Sequence, residues 1–162
     1  MSERSIFVLP DPILRKQAKE VSRLTPATKS LVEDMIETMH VANGVGLAAN
    51  QVGTLQKIFV YDDGEIEGVI VNPKIVSTRG EQIGQEGCLS VPGLQGEVRR
   101  AMEVEIRGLD LSGRPVKLKA EGLLARIFQH ELDHLYGRLF VDKAEPDSLH
   151  YVTKDEEEEE EL

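Results

Sequence analysis

At 162 residues, 40% of them hydrophobic and 30% charged, the chain suits one compact domain with a proper core. No run approaches the roughly 18 apolar residues of a membrane span. The start, Met1-Ser2-Glu3-Arg4-Ser5, lacks the blocks of a signal peptide, and the single cysteine, Cys88, excludes an intrachain disulfide, so a reducing cytoplasm is expected.

The net charge of −10 is unevenly spread. Asp155 and Glu156 to Glu161 carry seven negative charges; without them 22 acidic residues face 19 basic ones, a net of −3. Such a run repels itself and buries nothing, so residues 151–162 read as a disordered tail behind a single domain of residues 1–150. Glutamates and phosphates repel, so no nucleic-acid docking is expected through this end.

In chain order, Ile6 to Pro12 reads as an extended arm, because Pro10 and Pro12 prevent a helix from starting there. Thr25-Pro26 has the form of an N-cap with proline at the first helical position. Leu31, Val32, Met35, Ile36 and Met39 then recur at helical spacing, which predicts a helix to about Met39. A glycine-rich stretch, Asn43 to Gln51, follows. Lys57 to Tyr61 and Gly68 to Val71 are short strand-like runs around an Asp62-Asp63-Gly64 turn, and Pro73 separates the second from Ile75-Val76. Met102, Val104 and Ile106 alternate with charged residues, and a turn at Leu111-Ser112-Gly113 leads into Val116, Leu118 and Ala120, a hairpin. From Glu121 to Tyr136 no proline intervenes, Leu123, Ile127, His130 and His134 fall at helical spacing, and Gly137 offers a stop. No repeat or linker interrupts the body. A helix, many strands and a second helix define an α+β class.

The second helix carries His130-Glu131-Leu132-Asp133-His134, an H-E-x-x-H pattern. Residues four apart share a helix face, so both histidines can address one metal ion, and Glu131 can reach a water beside it as general base. The bland alternative is a solvated helix. Two histidines leave a catalytic metal short of ligands. Cys88, in Gln85-Glu86-Gly87-Cys88-Leu89-Ser90, is the obvious third, against the alternative of a structural buried thiol. His40 and His150 are weaker candidates. Gly44-Val45-Gly46 lacks the third glycine of a dinucleotide fingerprint and the Gly-Lys-Ser/Thr of a P-loop, so it reads as backbone lying against a substrate, with Gln51 as an amide donor.

Together the blocks Gly44 to Gln51, Glu86 to Ser90 and Gln129 to His134 resemble peptide deformylase, and the resemblance runs from about Asp11 to Asp142. It implies antiparallel sheets packed around the central H-E-x-x-H helix. It also implies one divalent metal on Cys88, His130 and His134, with Fe²⁺ used in the cell and Ni²⁺, Co²⁺ or Zn²⁺ accepted in its place. The implied activity is removal of the N-formyl group from the formyl-methionine of nascent peptides, releasing formate. Glu131 would shuttle the proton, and the Gln51 amide and the Leu89 backbone N–H would face the developing oxyanion. The substrate would lie extended along Val45, Gly46 and Gly87, with its methionine among Val45, Leu89, Leu123 and Ile127. Asp133 receives no chemical step.

Departures qualify this. Gln95 stands where many relatives carry arginine, Arg126 occupies a position apolar in some and is expected at the pocket rim, and the acidic tail speaks against ribosome docking through that end. A transient ribosome contact elsewhere is compatible with the resemblance. Glu86 and Arg100 are expected to form an ion pair. The rival enzyme reading is a zinc metallopeptidase, with Glu145 or His150 as third ligand. The non-enzyme rival is an inactive metal-binding protein, which would need neither Glu131 nor Gln51.

Overall fold

A computed structural model describes residues 2–152. The first helix, α1, spans Pro26–Val41 and the second, α2, Gly122–Leu135. Five strands form one antiparallel sheet in the order β1 (Gly46–Ala48), β2 (Ile58–Asp62), β3 (Glu67–Arg79), β6 (Glu103–Leu109) and β7 (Pro115–Glu121). A second sheet orders β4 (Gln82–Cys88), β5 (Val91–Arg100) and β8 (His150–Tyr151).

Strand β2 shows why the larger sheet is covered on both sides. Alternate residues point to opposite faces. Ile58 and Val60 pack with Leu31, Val32, Met35 and Met39 of α1, while Phe59 and Tyr61 pack with Ile127 and Phe128 of α2. The rings of Tyr61 and Phe128 meet edge-on at 4.9 Å between centroids. Burying a side chain such as Phe128 contributes about 2–3 kcal/mol. A third cluster, Cys88, Val98, Phe140 and Ala144, joins the smaller sheet to the segment after α2.

Both predicted helices are present. Thr25 caps α1 by accepting from the Thr28 N–H at 3.3 Å, and α1 runs two residues past Met39. The hairpin of β6 and β7 has its turn where predicted, although Met102 lies outside β6 and is exposed.

Two expectations are corrected. The prolines of the opening arm do not exclude a helical turn: Pro12–Arg15 forms a 3₁₀ turn with Pro12 at its first position, where no N–H is needed, capped by Asp11 through the Ile13 N–H at 3.0 Å. Pro73 does not divide two strands. One strand, β3, runs through it, with Asn72 at φ +52° and a register shift between Val71 and Lys74. The hairpin of β4 and β5 has no counterpart among the predicted elements. Just past residue 150, Tyr151 pairs with Leu94, and the Val152 N–H donates to the Gly93 carbonyl at 2.8 Å. The acidic run itself lies outside the described residues.

Candidate metal centre

Helix α2 opens at Gly122, whose φ of +61° turns the chain out of β7, and closes at Gly137, where a Cβ would collide with the Arg15 carbonyl. Between these stops, His130 and His134 sit one turn apart and both are buried. The β4–β5 hairpin brings Cys88 to them from the other sheet. The Nε2 atoms of the histidines are 3.2 Å apart, and Cys88 Sγ lies 3.3 Å from His134 Nε2. All three ligand atoms fall within 4.8 Å of one another. Ligands of one small tetrahedral cation are separated by roughly 3.3–3.6 Å, given bonds of about 2.1 Å to nitrogen and 2.3 Å to sulfur. The donor set and spacing therefore fit one soft or borderline divalent metal.

The surroundings orient these ligands. His130 Nδ1 meets Glu86 Oε1 at 2.8 Å, and an ionised carboxylate only accepts, so the proton sits on Nδ1 and the Nε2 lone pair faces the cluster. Glu86 also accepts twice from Arg100, at 2.9 Å each, and once from Arg126. Burial alone would raise the Glu86 carboxyl, but the hydrogen bonds from Arg100 and His130 outweigh it and hold it well below the ordinary carboxylate range. Arg100 continues to Asp133 at 2.6 Å, and Lys143 reaches the same carboxylate at 2.9 Å. The expected pair of Glu86 and Arg100 is thus the centre of a larger network. Arg126 differs from its expected place at the pocket rim: its guanidinium is buried on Glu86, with a further bond to the Val98 carbonyl at 3.1 Å. For His134, burial and then the neighbouring His130 and Arg100 push the imidazole well below its usual range, keeping it neutral and able to ligate.

Glu131 is fully buried, and neither of its carboxylate oxygens meets a hydrogen-bond partner among the described residues. Burial, then the charge of Glu86, pushes its carboxyl well above the ordinary range. It lies against β1, where a Cβ at Gly46 would collide with Glu131 Oε2. A buried, partnerless carboxylate beside a metal-type cluster is costly unless a ligand completes it, and a water or substrate proton is the natural complement.

Gln51 is also fully buried. Its Oε1 accepts from the Ala48 N–H at 2.9 Å, and its Nε2 donates to Ser90 Oγ at 3.0 Å and lies 3.7 Å from Cys88 Sγ. Leu89 occupies the turn of the β4–β5 hairpin, directly after Cys88. The structure therefore gathers Gln51, Cys88, Leu89, His130, Glu131 and His134 at one place, with Gly46 beside Glu131. Gly87 is buried next to Cys88, close to Gln95. The expected apolar pocket separates by depth: Val45 and Ile127 share the buried core of the larger sheet, whereas Leu123 is 45% exposed.

The rival ligands fall elsewhere. His150 is exposed in β8, and Glu145 donates its N–H to the Glu97 carbonyl; neither joins the cluster among the described residues. His40 bridges Asp62 at 3.1 Å and Glu67 at 3.6 Å, on the surface. Sequence reasoning overlooked Ser90, although it stands two residues after Cys88. The available signal was that a buried glutamine must have its amide satisfied.

The family model for polypeptide deformylase matches residues 3–149. A peptide deformylase of Halothermothrix orenii is 54% identical over 135 residues, which are 82% of this chain and 88% of that one. The crystal structure of peptide deformylase from Thermotoga maritima superposes with a TM-score of 0.88 at 40% identity, covering 90% of this chain and all (100%) of that one. The enzyme from Synechococcus elongatus, in complex with actinonin, gives 0.85 at 46% identity, covering 87% and 78%.

Proposed function

This chain belongs to the peptide deformylase family, enzymes that hydrolyse the formyl group from nascent peptides, and we propose that it does so with Glu131 as proton shuttle and Gln51 and Leu89 as oxyanion donors. The observation that carries the reading is Glu131, buried, with no hydrogen-bond partner among the described residues, and next in the helix to the ligand cluster of Cys88, His130 and His134.

Cys88, His130 and His134 would hold a divalent metal, which would supply positive charge to acidify a water and polarise the formyl oxygen. The residues do the rest. Glu131 accepts the proton of the water whose oxygen adds to the formyl carbon. As the carbon–nitrogen bond breaks, Glu131 returns that proton to the leaving amine, so formate and a free methionine amine result. The Gln51 amide and the Leu89 N–H donate to the oxygen on which charge builds; one such donor is worth about 3 kcal/mol of barrier.

Strands β1 and β4 each pair on one side only among the described residues, which leaves an open edge on each. An extended peptide fits as an added strand using the backbone of Val45, Gly46 and Gly87. Ile127 and Leu123 are four apart on α2, so they share a face. With Val45, they would form the floor and lip of a slot for an unbranched methionine side chain. Discrimination against acetyl groups would follow from lack of room for one more methyl beside the ligands.

Fe²⁺ is the proposed metal in the cell, with Ni²⁺, Co²⁺ or Zn²⁺ as substitutes. An iron–thiolate pair should lose activity in air as Cys88 is oxidised, whereas the nickel form should persist. The reaction is assigned to the cytoplasm, where nascent chains arise; no helix of the described residues is long and apolar enough to cross a membrane. Replacing Glu131 by Gln tests the reading. Metal should stay bound while kcat falls by about 10²–10⁴-fold. Retained turnover would remove the shuttle role, and lost metal would make Glu131 structural.

A further inference from the structure

We propose that Ser90 is a positioning residue for the Gln51 donor, a role that rests on the reading of Gln51 given above. Ser90 is fully buried at the turn between Cys88 and β5. Its hydroxyl accepts from Gln51 Nε2 at 3.0 Å, while Gln51 Oε1 accepts from the Ala48 N–H at 2.9 Å.

A primary amide has one oxygen and two N–H groups in a single plane. The torsion that sets this plane is broad, so contacts at the head group must define it. Here Ala48 fixes the oxygen and Ser90 takes one N–H. The nitrogen lies 3.7 Å from Cys88 Sγ, so the remaining N–H is on the side of the metal ligands, with only a weak sulfur acceptor opposing it. An oxygen gaining negative charge there would be a far better acceptor than sulfur for that N–H.

Gln51 and Ser90 are themselves held from outside the site by the same segment. The Phe7 N–H donates to the Gln51 carbonyl at 2.7 Å and the Leu9 N–H to the Ser90 carbonyl at 2.9 Å, so the opening arm ties the two segments together. The Ser90 hydroxyl bonds the Gln51 amide directly, and the proposed effect of Ser90 on the reaction passes through that bond.

The test is a double-mutant cycle with Ser90→Ala, Gln51→Met and the pair, measuring kcat, KM and metal content on a formyl-Met-Ala peptide. Ser90→Ala should lower kcat by about tenfold, a fraction of the 10²–10³ that full loss of a donor costs, with KM changed less than about twofold. One metal per chain should remain. In the Gln51→Met background the same change should cost less than about twofold, because the group it positions is gone. Ser90→Thr, which keeps the hydroxyl, should recover most of the loss. Should Ser90→Ala not fold, Ser90→Gly removes the same hydroxyl and completes the cycle. Equal losses in both backgrounds, an unchanged kcat, or loss of metal would overturn the proposal. A normal kcat in Gln51→Met alone would instead overturn the reading of Gln51, and the role of Ser90 with it.

Discussion

Gly46 and Glu131 fit each other by exclusion: no Cβ can stand at position 46 without displacing the carboxylate. With Glu131 as the proposed proton shuttle, Gly46→Ala should therefore lower kcat by about tenfold or more while metal content is unchanged, because the shuttle would move by about an ångström. Steady-state kinetics with metal analysis on one sample checks this; loss of metal would mean that the added methyl disturbs the histidines instead. Glu86 is the opposite case, a group that satisfies others. Removing it in Glu86→Ala leaves the buried Arg126 without its counter-charge and Arg100 with Asp133 alone, which should cost about 3–5 kcal/mol in chemical denaturation. A loss under about 1 kcal/mol would show that water reaches the two guanidinium groups after all. Both residues were visible in the sequence. So was the pair of Glu86 with Arg100; the contacts of Glu131 with Gly46 and of Glu86 with His130 were not, because nothing local marks them, Glu86 and His130 being 44 positions apart.

At the scale of elements, legibility followed the strength of local signals. Helix α1 has a cap, a proline and a regular apolar stripe, and β6–β7 alternate cleanly, so both could be read directly. The β4–β5 hairpin carries Gly84, Gly87, Gly93 and Gly96 among glutamines and glutamates, which weakens any strand signal. Its stability comes from contacts outside it, such as Phe140 against Cys88 and Val98. The opening arm was legible as extended but not as the tie between Gln51 and Ser90. It is secured further back, where Asp34 accepts from the Ser2 N–H at 2.8 Å and from Arg4 at 2.9 Å. These bonds, the Ser2 N–H first, hold the Asp34 carboxyl below its ordinary 3.8. A lowered folded-state pKa stabilises above the unfolded value and is lost as pH falls through the folded one. The protection of the Phe7 and Leu9 amides, taken relative to intrinsic exchange rates, should therefore weaken as pH falls below the ordinary carboxylate range, and Asp34→Asn should weaken it at neutral pH. Unchanged exchange in the variant would show that the arm is held from its other end.

For the whole molecule, the decisive fact is convergence. Gln51, Cys88 and His130 come from a 3₁₀ turn, a hairpin and a helix on two different sheets, and meet in one buried cluster. Three short blocks in one chain made that convergence readable, since no single block required the others. The same convergence couples metal to folding. A metal that binds only the folded chain stabilises it by about 2.7 kcal/mol at a hundredfold excess over Kd, so chelation should lower Tm by several degrees, and added Ni²⁺ should restore it. An unchanged Tm would mean that the three ligands hold no metal of consequence.

The most direct measurement is formate release from a formyl-Met-Ala peptide by anaerobically purified protein, with the metal content of the same sample determined. Rapid formate release with one metal per chain is the expected result. Bound metal without formate release, together with cleavage of unformylated peptides, would contradict it and assign the centre to a peptidase.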